Sequence, residues 1–490
     1  MSAVRNTEKY RPRFHFTPPA NWMNDPNGLV YFNGEYHLFY QHYPHGTKWG
    51  PMHWGHAVSR DLMTWEHLPV ALAPDEKGMI FSGSAVVDWH DTTGFFGGQP
   101  GLVAIFTHHE DQQGAAPRQK QSQSLAYSRD SGRTWVKFEG NPVLGSDEFA
   151  DFRDPKVFWH PDTRMWVMIL ACGRTVRLYR SPNLKEWSFC SEFGHGIGSH
   201  DGVWECPDLF ELPVDGDRGK RTWVMLVSIA NEPGIPEGSR TQYFTGQFDG
   251  NTFVPDEASR QVRWIDYGRD NYAGVSWSDI PEEDGRRIYV GWMNNWKYAD
   301  ATPTESWRGA MTIPRELALE TRNREVALIQ RPVKEWEAQR ALLFEAEGKS
   351  VGELNAQFKE HPLETYEIEA EFELAEGIEA LGFKLRTSAS EETVVGCSVK
   401  DQAVFVDRTR SGAVDFHELF PGRHQASLQP DLKRLHLRII VDQASVEVFA
   451  NDGQIAITDL IYPSPDSLGL SLFCEGEGGL SYRVKMYKPI

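Results

Sequence analysis

Ser59-Arg60-Asp61-Leu62-Met63-Thr64-Trp65, Ser128-Arg129-Asp130-Ser131-Gly132-Arg133-Thr134-Trp135 and Ser181-Pro182-Asn183-Leu184-Lys185-Glu186-Trp187 are three versions of one element. Each follows a short apolar strand pattern, HWGHAVS, QSLAYS or VRLYRS. Each then offers an Asp or Asn whose side chain can close a turn on backbone N–H groups, and a Trp placed to anchor the next strand. Such a hairpin recurring every ~50–70 residues is the pattern of a propeller blade. We therefore read these Asp and Trp residues as structural.

Working outward, the segments opening at Asp25, Ser82, Asp154, Glu205 and Tyr272 read as five blade starts. Within them, period-two alternation and Asn-Gly or Asp-Gly turns mark antiparallel hairpins, as in FNGEYHLFY and EDGRRIYVGWM. Residues 1–325 are thus expected to form a five-bladed β-propeller. Residues 326–349 change character, and KEWEAQRALLFEA within them has a helical pattern that suggests a connector. From 350 to 490 alternating strands return without a repeat, the pattern of a β-sandwich. The fold class is all-β, a propeller followed by a C-terminal β-sandwich.

Composition narrows the function. The formal net charge of −19 argues against a nucleic-acid partner, whose phosphates require a basic face. The 17 Trp, 16 Tyr and 27 Phe suit β-rich packing and leave rings to spare for a sugar face. Five widely spaced cysteines form no CxxC pair, so neither a zinc site nor a disulfide framework is indicated. The stretch MSAVRNTEKYRPRFHFTPP has no apolar signal region and no run reaches the length of a membrane span. As written, the chain reads as cytoplasmic and free of membrane; a signal removed beforehand would make it secreted.

Three motifs place a carboxylate just ahead of a predicted first strand: Trp22-Met23-Asn24-Asp25-Pro26-Asn27-Gly28, Phe152-Arg153-Asp154-Pro155 and Trp204-Glu205-Cys206-Pro207. Equivalent positions in units arranged around an axis converge on one point, and converging carboxylates are what cleavage of a glycosidic bond requires. Asn24-Asp25-Pro26-Asn27-Gly28 also fits a plain tight turn, but Trp22 and Met23 are unusual flanks for an exposed loop. Arg153 beside Asp154 is expected to keep that acid ionised, as an anchor for substrate hydroxyls; a surface ion pair is the plainer reading. Trp204 and Cys206 form an apolar collar expected to keep a proton on Glu205, as a general acid needs. Asp25 is left as nucleophile.

WMNDPNG, FRDP and WECP, in this order and spacing, resemble glycoside hydrolase family 32, the β-fructofuranosidases, and the likeness covers nearly the whole chain. It extends to YQHYP (40–44), KWGPMHWGHAVS (48–59), FSGSAV (81–86), DYGRDNYAGVSW (266–277), GWMNNW (291–296) and SVEVFANDGQ (445–454). The wording is most similar to bacterial levanases and exo-inulinases. The resemblance implies a five-bladed propeller with a β-sandwich and retaining hydrolysis of terminal β-D-fructofuranosyl units from levan, inulin, fructo-oligosaccharides or sucrose, with no metal or organic cofactor. It implies Asp25 as nucleophile on C2, Glu205 as acid/base and Asp154 on the fructose O3 and O4 hydroxyls, with Asp25 and Glu205 about 5–5.5 Å apart for a retaining enzyme. It also implies that Asn24, Gln41, Ser82 and Arg153 hydrogen-bond the terminal fructose, and that Trp49, Phe81 and Trp292 form apolar walls, with Trp296 competing for the place of Trp292.

Three other readings compete. A fructosyltransferase would use the same triad on a sugar acceptor. A sialidase is suggested by the Ser128–Trp135 box but would need a Tyr nucleophile and an arginine cluster. A non-catalytic sugar-binding propeller would not keep all three acids. The linkage preference and oligomeric state are not legible in the residues.

Overall fold

The computed structural model describes residues 8–112, 118–322, 324–429 and 432–490; the first seven residues of the N-terminal stretch discussed above lie outside them. Five antiparallel blades follow one another in the chain. Their innermost strands are Asn21–Phe32, Met79–Asp88, Phe152–His160, Trp204–Val214 and Tyr272–Ser276. These five pack side by side in ring order, the fifth closing on the first. A parallel bridge between Val30 and Ser278 shows that the closing pair runs in one direction.

The repeated turn explains the blades. Asp61 accepts the Met63 and Thr64 amides at 2.9 and 2.7 Å, and Asp130 accepts that of Thr134 at 2.9 Å. Asn183 accepts those of Lys185 and Glu186, both at 3.0 Å. In each case the Trp indole folds back to a carbonyl of the same turn, at 3.1, 3.0 and 2.8 Å for Trp65, Trp135 and Trp187. Each Trp directly precedes the blade's next strand. A fourth version, Asp249 accepting from Asn251 and Thr252, closes the same turn in blade four without a Trp.

The segment expected as a connector is built differently. Glu325–Pro332 is a strand completing blade five against Arg315–Arg322. The helical pattern shrinks to one turn, Lys334–Glu337. Arg340–Glu347 is a strand paired with Ser481–Pro489 at the chain's end. Strand pairing overrides helix propensity here, because the C-terminal strand otherwise leaves an open sheet edge. The nine-residue helix is instead Val351–Lys359, opened by a Ser350/Glu353 capping box.

The sandwich packs a six-stranded sheet on a five-stranded one around a single apolar core. It is clamped to the propeller by buried ion pairs. Arg315 reaches Glu447 and, at 3.1 Å, Asp266, while Arg408 binds Asp270. Gly268 must be glycine at this seam, since a Cβ there would lie 2.1 Å from the Thr458 carbonyl oxygen. The DYGRDN and SVEVFANDGQ segments are therefore both interface. Among the described residues, no helix is long and apolar enough to cross a membrane.

Candidate active site

The sequence pattern places the acids just ahead of the strands; in the structure they lie within them, at irregularities of pairing. The register of the innermost strands shifts between Met23 and Pro26, Phe81 and Gly83, Arg153 and Lys156, Glu205 and Asp208, and Tyr272 and Val275. A bulge bends the strand and re-aims a side chain that the pleat would otherwise direct into a blade. Asp154, Cys206 and Ala273 take left-handed φ values of 63°, 45° and 52° at these bulges, a cost of roughly 1–3 kcal/mol each that the ring of packed strands must offset. Gly28, at φ 54°, lies in a second shift of the first strand, between Asn27 and Val30, where a Cβ would sit 2.5 Å from the Phe39 ring.

The bulges bring the acids of three blades together. Asp25 accepts the Ser82 hydroxyl at 2.7 Å and the Asn24 amide at 3.0 Å, and the Trp22 indole holds Asn24 at 2.7 Å. The Cys206 thiol lies between acids, 3.5 Å from Asp25 and 3.6 Å from Asp154, whose carboxylate also accepts the Cys206 amide at 3.0 Å. Burial and the neighbouring carboxylates push this thiol well above its usual range, so it is a neutral S–H donor. The Asp154 amide is itself fixed by Thr107 Oγ1 at 3.0 Å.

Two expected causes of charge tuning are overturned. Arg153 does not hold Asp154 ionised: its nearest approach is 3.9 Å, while Nη2 donates to Glu205 at 2.8 Å and Nη1 to Asp151. Burial dominates at Asp154, which is 7% exposed. With the charges of Glu205 and Asp25 added, it outweighs Arg153 and lifts the carboxyl to about 7. Burial followed by the Glu205 charge likewise raises Asp25. Nor does an apolar collar surround Glu205. Trp204 is fully buried in the blade core and stacks on His200, because adjacent strand residues face opposite sides. The groups on Glu205 are Arg153 and the Tyr272 hydroxyl. Tyr272 is held as a neutral phenol by burial and by the acids around it.

The remaining expected residues divide. Ser82, Asn24 and Arg153 meet the acids as described. Gln41 is buried nearby with its amide donated to the Ile80 carbonyl at 3.0 Å. Phe81 stacks on His109 at 4.2 Å and meets Trp49 edge-on at 6.4 Å, with Trp49 41% exposed. Trp292 does not present a wall. It is 0% exposed, behind Tyr272 and Trp22, whereas partly buried Trp296 stacks on Trp22 at 5.8 Å. Tyr272 and His109 were not identified as site residues from the sequence. Tyr272 was recoverable, since it heads the fifth blade at the position where the first, third and fourth carry their acids; His109 had no such signal.

Comparison with known proteins places the whole chain in one family. The model of the glycosyl hydrolases family 32 N-terminal domain matches residues 15–332, and that of the family's C-terminal domain matches residues 336–488. The chain is 51% identical over 492 residues to a levanase of Bacillus subtilis, covering 99% of this chain and 71% of that protein. It is 39% identical over 520 residues to an extracellular exo-inulinase of Aspergillus niger, covering 99% and 95%. The crystal structure of an exo-inulinase from Aspergillus awamori superposes with a TM-score of 0.86 at 36% identity, covering 99% of each chain. With both domains matched and the propeller–sandwich architecture shared, this chain belongs to glycoside hydrolase family 32.

Proposed function

We propose that this protein is a retaining β-fructofuranosidase that releases terminal β-D-fructofuranosyl units from fructans and sucrose. The observation that carries the reading is the meeting of Asp25, Asp154 and Glu205, from the first, third and fourth blades, around one thiol and one guanidinium. The levanase and exo-inulinase relatives supply the substrate class, and the extracellular exo-inulinase shows the setting in which a polymer would be met.

Asp25 is the nucleophile. Ser82 and Asn24 each direct a hydrogen bond at one of its oxygens, which fixes the carboxylate for attack on the anomeric C2. Glu205 is aimed by Arg153 and Tyr272; it gives its proton to the leaving oxygen and later takes one from the water that frees fructose. Three carboxyls share this site with one guanidinium, and like charges in a dry cluster cannot all ionise, so the site keeps a proton near neutral pH. Asp154, buried deepest, binds sugar hydroxyls and stabilises the oxocarbenium-like transition state. Phe81 and Trp49 form the apolar side of the pocket, and Gln41 its polar end.

Timed product analysis on sucrose, inulin and levan tests the reading. Fructose alone from the earliest times, released with retained configuration, is expected; early oligosaccharides would indicate endo action, and longer products at high sucrose would indicate transfer. Glu205→Ala should lower kcat by roughly 10²–10⁴-fold, with azide restoring turnover as a fructosyl azide. Full activity in Asp25→Asn or Glu205→Ala would overturn the assignment.

A further inference from the structure

The innermost strands run in one direction along the propeller axis, so the acids mark one mouth and the C-terminal halves of the same strands form the other. Below the acids the axis is nearly filled, with a void of about 10 Å³ bordered by Leu29, Pro155, Pro207 and Val275. Beyond that plug a cavity of about 420 Å³ opens at the far mouth, lined mainly by blades three and four, with Ser278, Asp279 and Arg287 from blade five and Val86 from blade two.

This cavity is built from ordered parts. Lys156, two residues beyond Asp154 and 4% exposed, lines both the plug and the cavity. Its ammonium group donates to the Ser276 carbonyl and lies 3.6 Å from Asp208. Arg287 donates to the Trp277 carbonyl at 3.1 Å and lies 5.0 Å from the Phe210 ring centre. No acceptor among the described residues takes its Nε–H or Nη2–H groups. Asp279 accepts the Val87 amide and the Trp89 indole, both at 2.9 Å, which leaves each oxygen a lone pair. Trp159 and Trp223 are partly exposed in the lining. They are braced edge-on by Trp166 at 5.3 Å and Phe248 at 5.1 Å.

The charge on the walls selects the ligand class. Lys156, Arg221 and Arg287 are matched by Asp162, Glu211 and Asp279, with Arg221 paired directly to Glu211. A phosphate or another polyanion needs an excess of cations, which this cavity lacks. Balanced donors and acceptors around braced indoles suit a neutral polyhydroxyl ring, whose C–H face packs on the aromatic surface while its hydroxyls bind both signs of charge. We propose that the far mouth is a second, non-catalytic binding site for a neutral oligosaccharide, which, on the functional reading above, is the class of the enzyme's own substrate.

Equilibrium dialysis of the full-length Asp25→Asn variant against a labelled inulin-type trisaccharide tests this. Two sugars per chain are expected, falling to one when Trp159→Ala and Arg221→Ala are added. The same pair of substitutions with Asp25 intact should leave kcat and KM on sucrose within about twofold. A malto-trisaccharide bound at one site per chain, and lost in the paired variant, would also support the proposal. A count of one on Asp25→Asn, a count of two unchanged by the paired substitutions, or displacement of the second sugar by inorganic phosphate would overturn it. The count on Asp25→Asn requires no far-mouth variant to fold. Residual turnover by Asp25→Asn would be read separately, as failure of the catalytic assignment.

Discussion

Asp154 illustrates how a buried cluster of carboxyls sets itself against stability. Its carboxyl is raised from 3.8 to about 7, first by burial and then by the charges of Glu205 and Asp25, with Arg153 opposing. The folded chain therefore holds this proton up to about pH 7, whereas the unfolded chain loses it near 3.8. The cluster costs stability increasingly as pH rises across that window. Asp154→Asn keeps an oxygen for the Cys206 amide and removes the charge. It should raise unfolding free energy by roughly 1–3 kcal/mol at pH 8 and by little at pH 4 in urea titrations, while abolishing turnover. Tyr272 acts at the same scale as a positioning residue. Tyr272→Phe deletes only the hydroxyl that meets Glu205, so kcat on sucrose should fall about tenfold, ~1.4 kcal/mol of barrier. KM should stay within about twofold and the melting temperature should be preserved.

At the scale of the element, the blade turn and the strand bulge do different work. The turn is a local device, with one side-chain oxygen satisfying two or three donors within five residues, and it is the same device in blades one to four. Asp61→Ala should cost about 1–2 kcal/mol by stranding the Met63 and Thr64 amides and the Ser59 hydroxyl. The urea midpoint should fall with its slope unchanged and with KM on sucrose unaltered, because this turn lies away from the acids. The bulge, by contrast, depends on neighbouring blades. Asn27 ties the Asp25 carbonyl to the Gly83 amide, and Ser84 ties Pro155 to Val157. This stitching is why the repeat was legible as turns and Trp residues while the bulges were not. A turn is encoded within seven or eight residues, but these bulges are tied to neighbouring strands 56 to 73 residues away. The helical pattern at 334–346 misleads for the same reason: its partner, Ser481–Pro489, is about 140 residues distant.

At the scale of the whole molecule, the two domains share one buried network. We propose the division at the one-turn helix Lys334–Glu337, between the last strand of the fifth blade and the first of the sandwich. His15, from the chain's start, reaches Asp442 at 2.7 Å and Glu447 at 2.6 Å in the sandwich. Burial alone would depress its pKa, but these two carboxylates raise it to about 9, while at Glu447 burial is overcome by the charge of Arg315 and then by His15, which hold the carboxyl down to about 2. Because the folded value stands above 6.5, this stabilisation is complete below about pH 6.5 and is lost as pH rises through about 9. Calorimetry should show a melting temperature that declines between pH 7 and 9.5. In His15→Gln the melting temperature should start lower, reflecting the roughly 3–5 kcal/mol of unfolding free energy typical of breaking a buried pair, and lack most of that decline.

The amino-acid sequence by itself determined the number of blades, the sandwich and the identity of the three acids, because hydrophobic period, turn chemistry and motif are written in short contiguous stretches. Only the tertiary structure decided which partners those acids have. Arg153 serves Glu205 rather than the Asp154 beside it, Trp204 turns away from the acid it precedes, and Trp292 is fully buried while Trp296 stays partly exposed on Trp22. Side chains adjacent in a strand face opposite ways, and the charge a carboxyl can hold is set by groups converging from other blades.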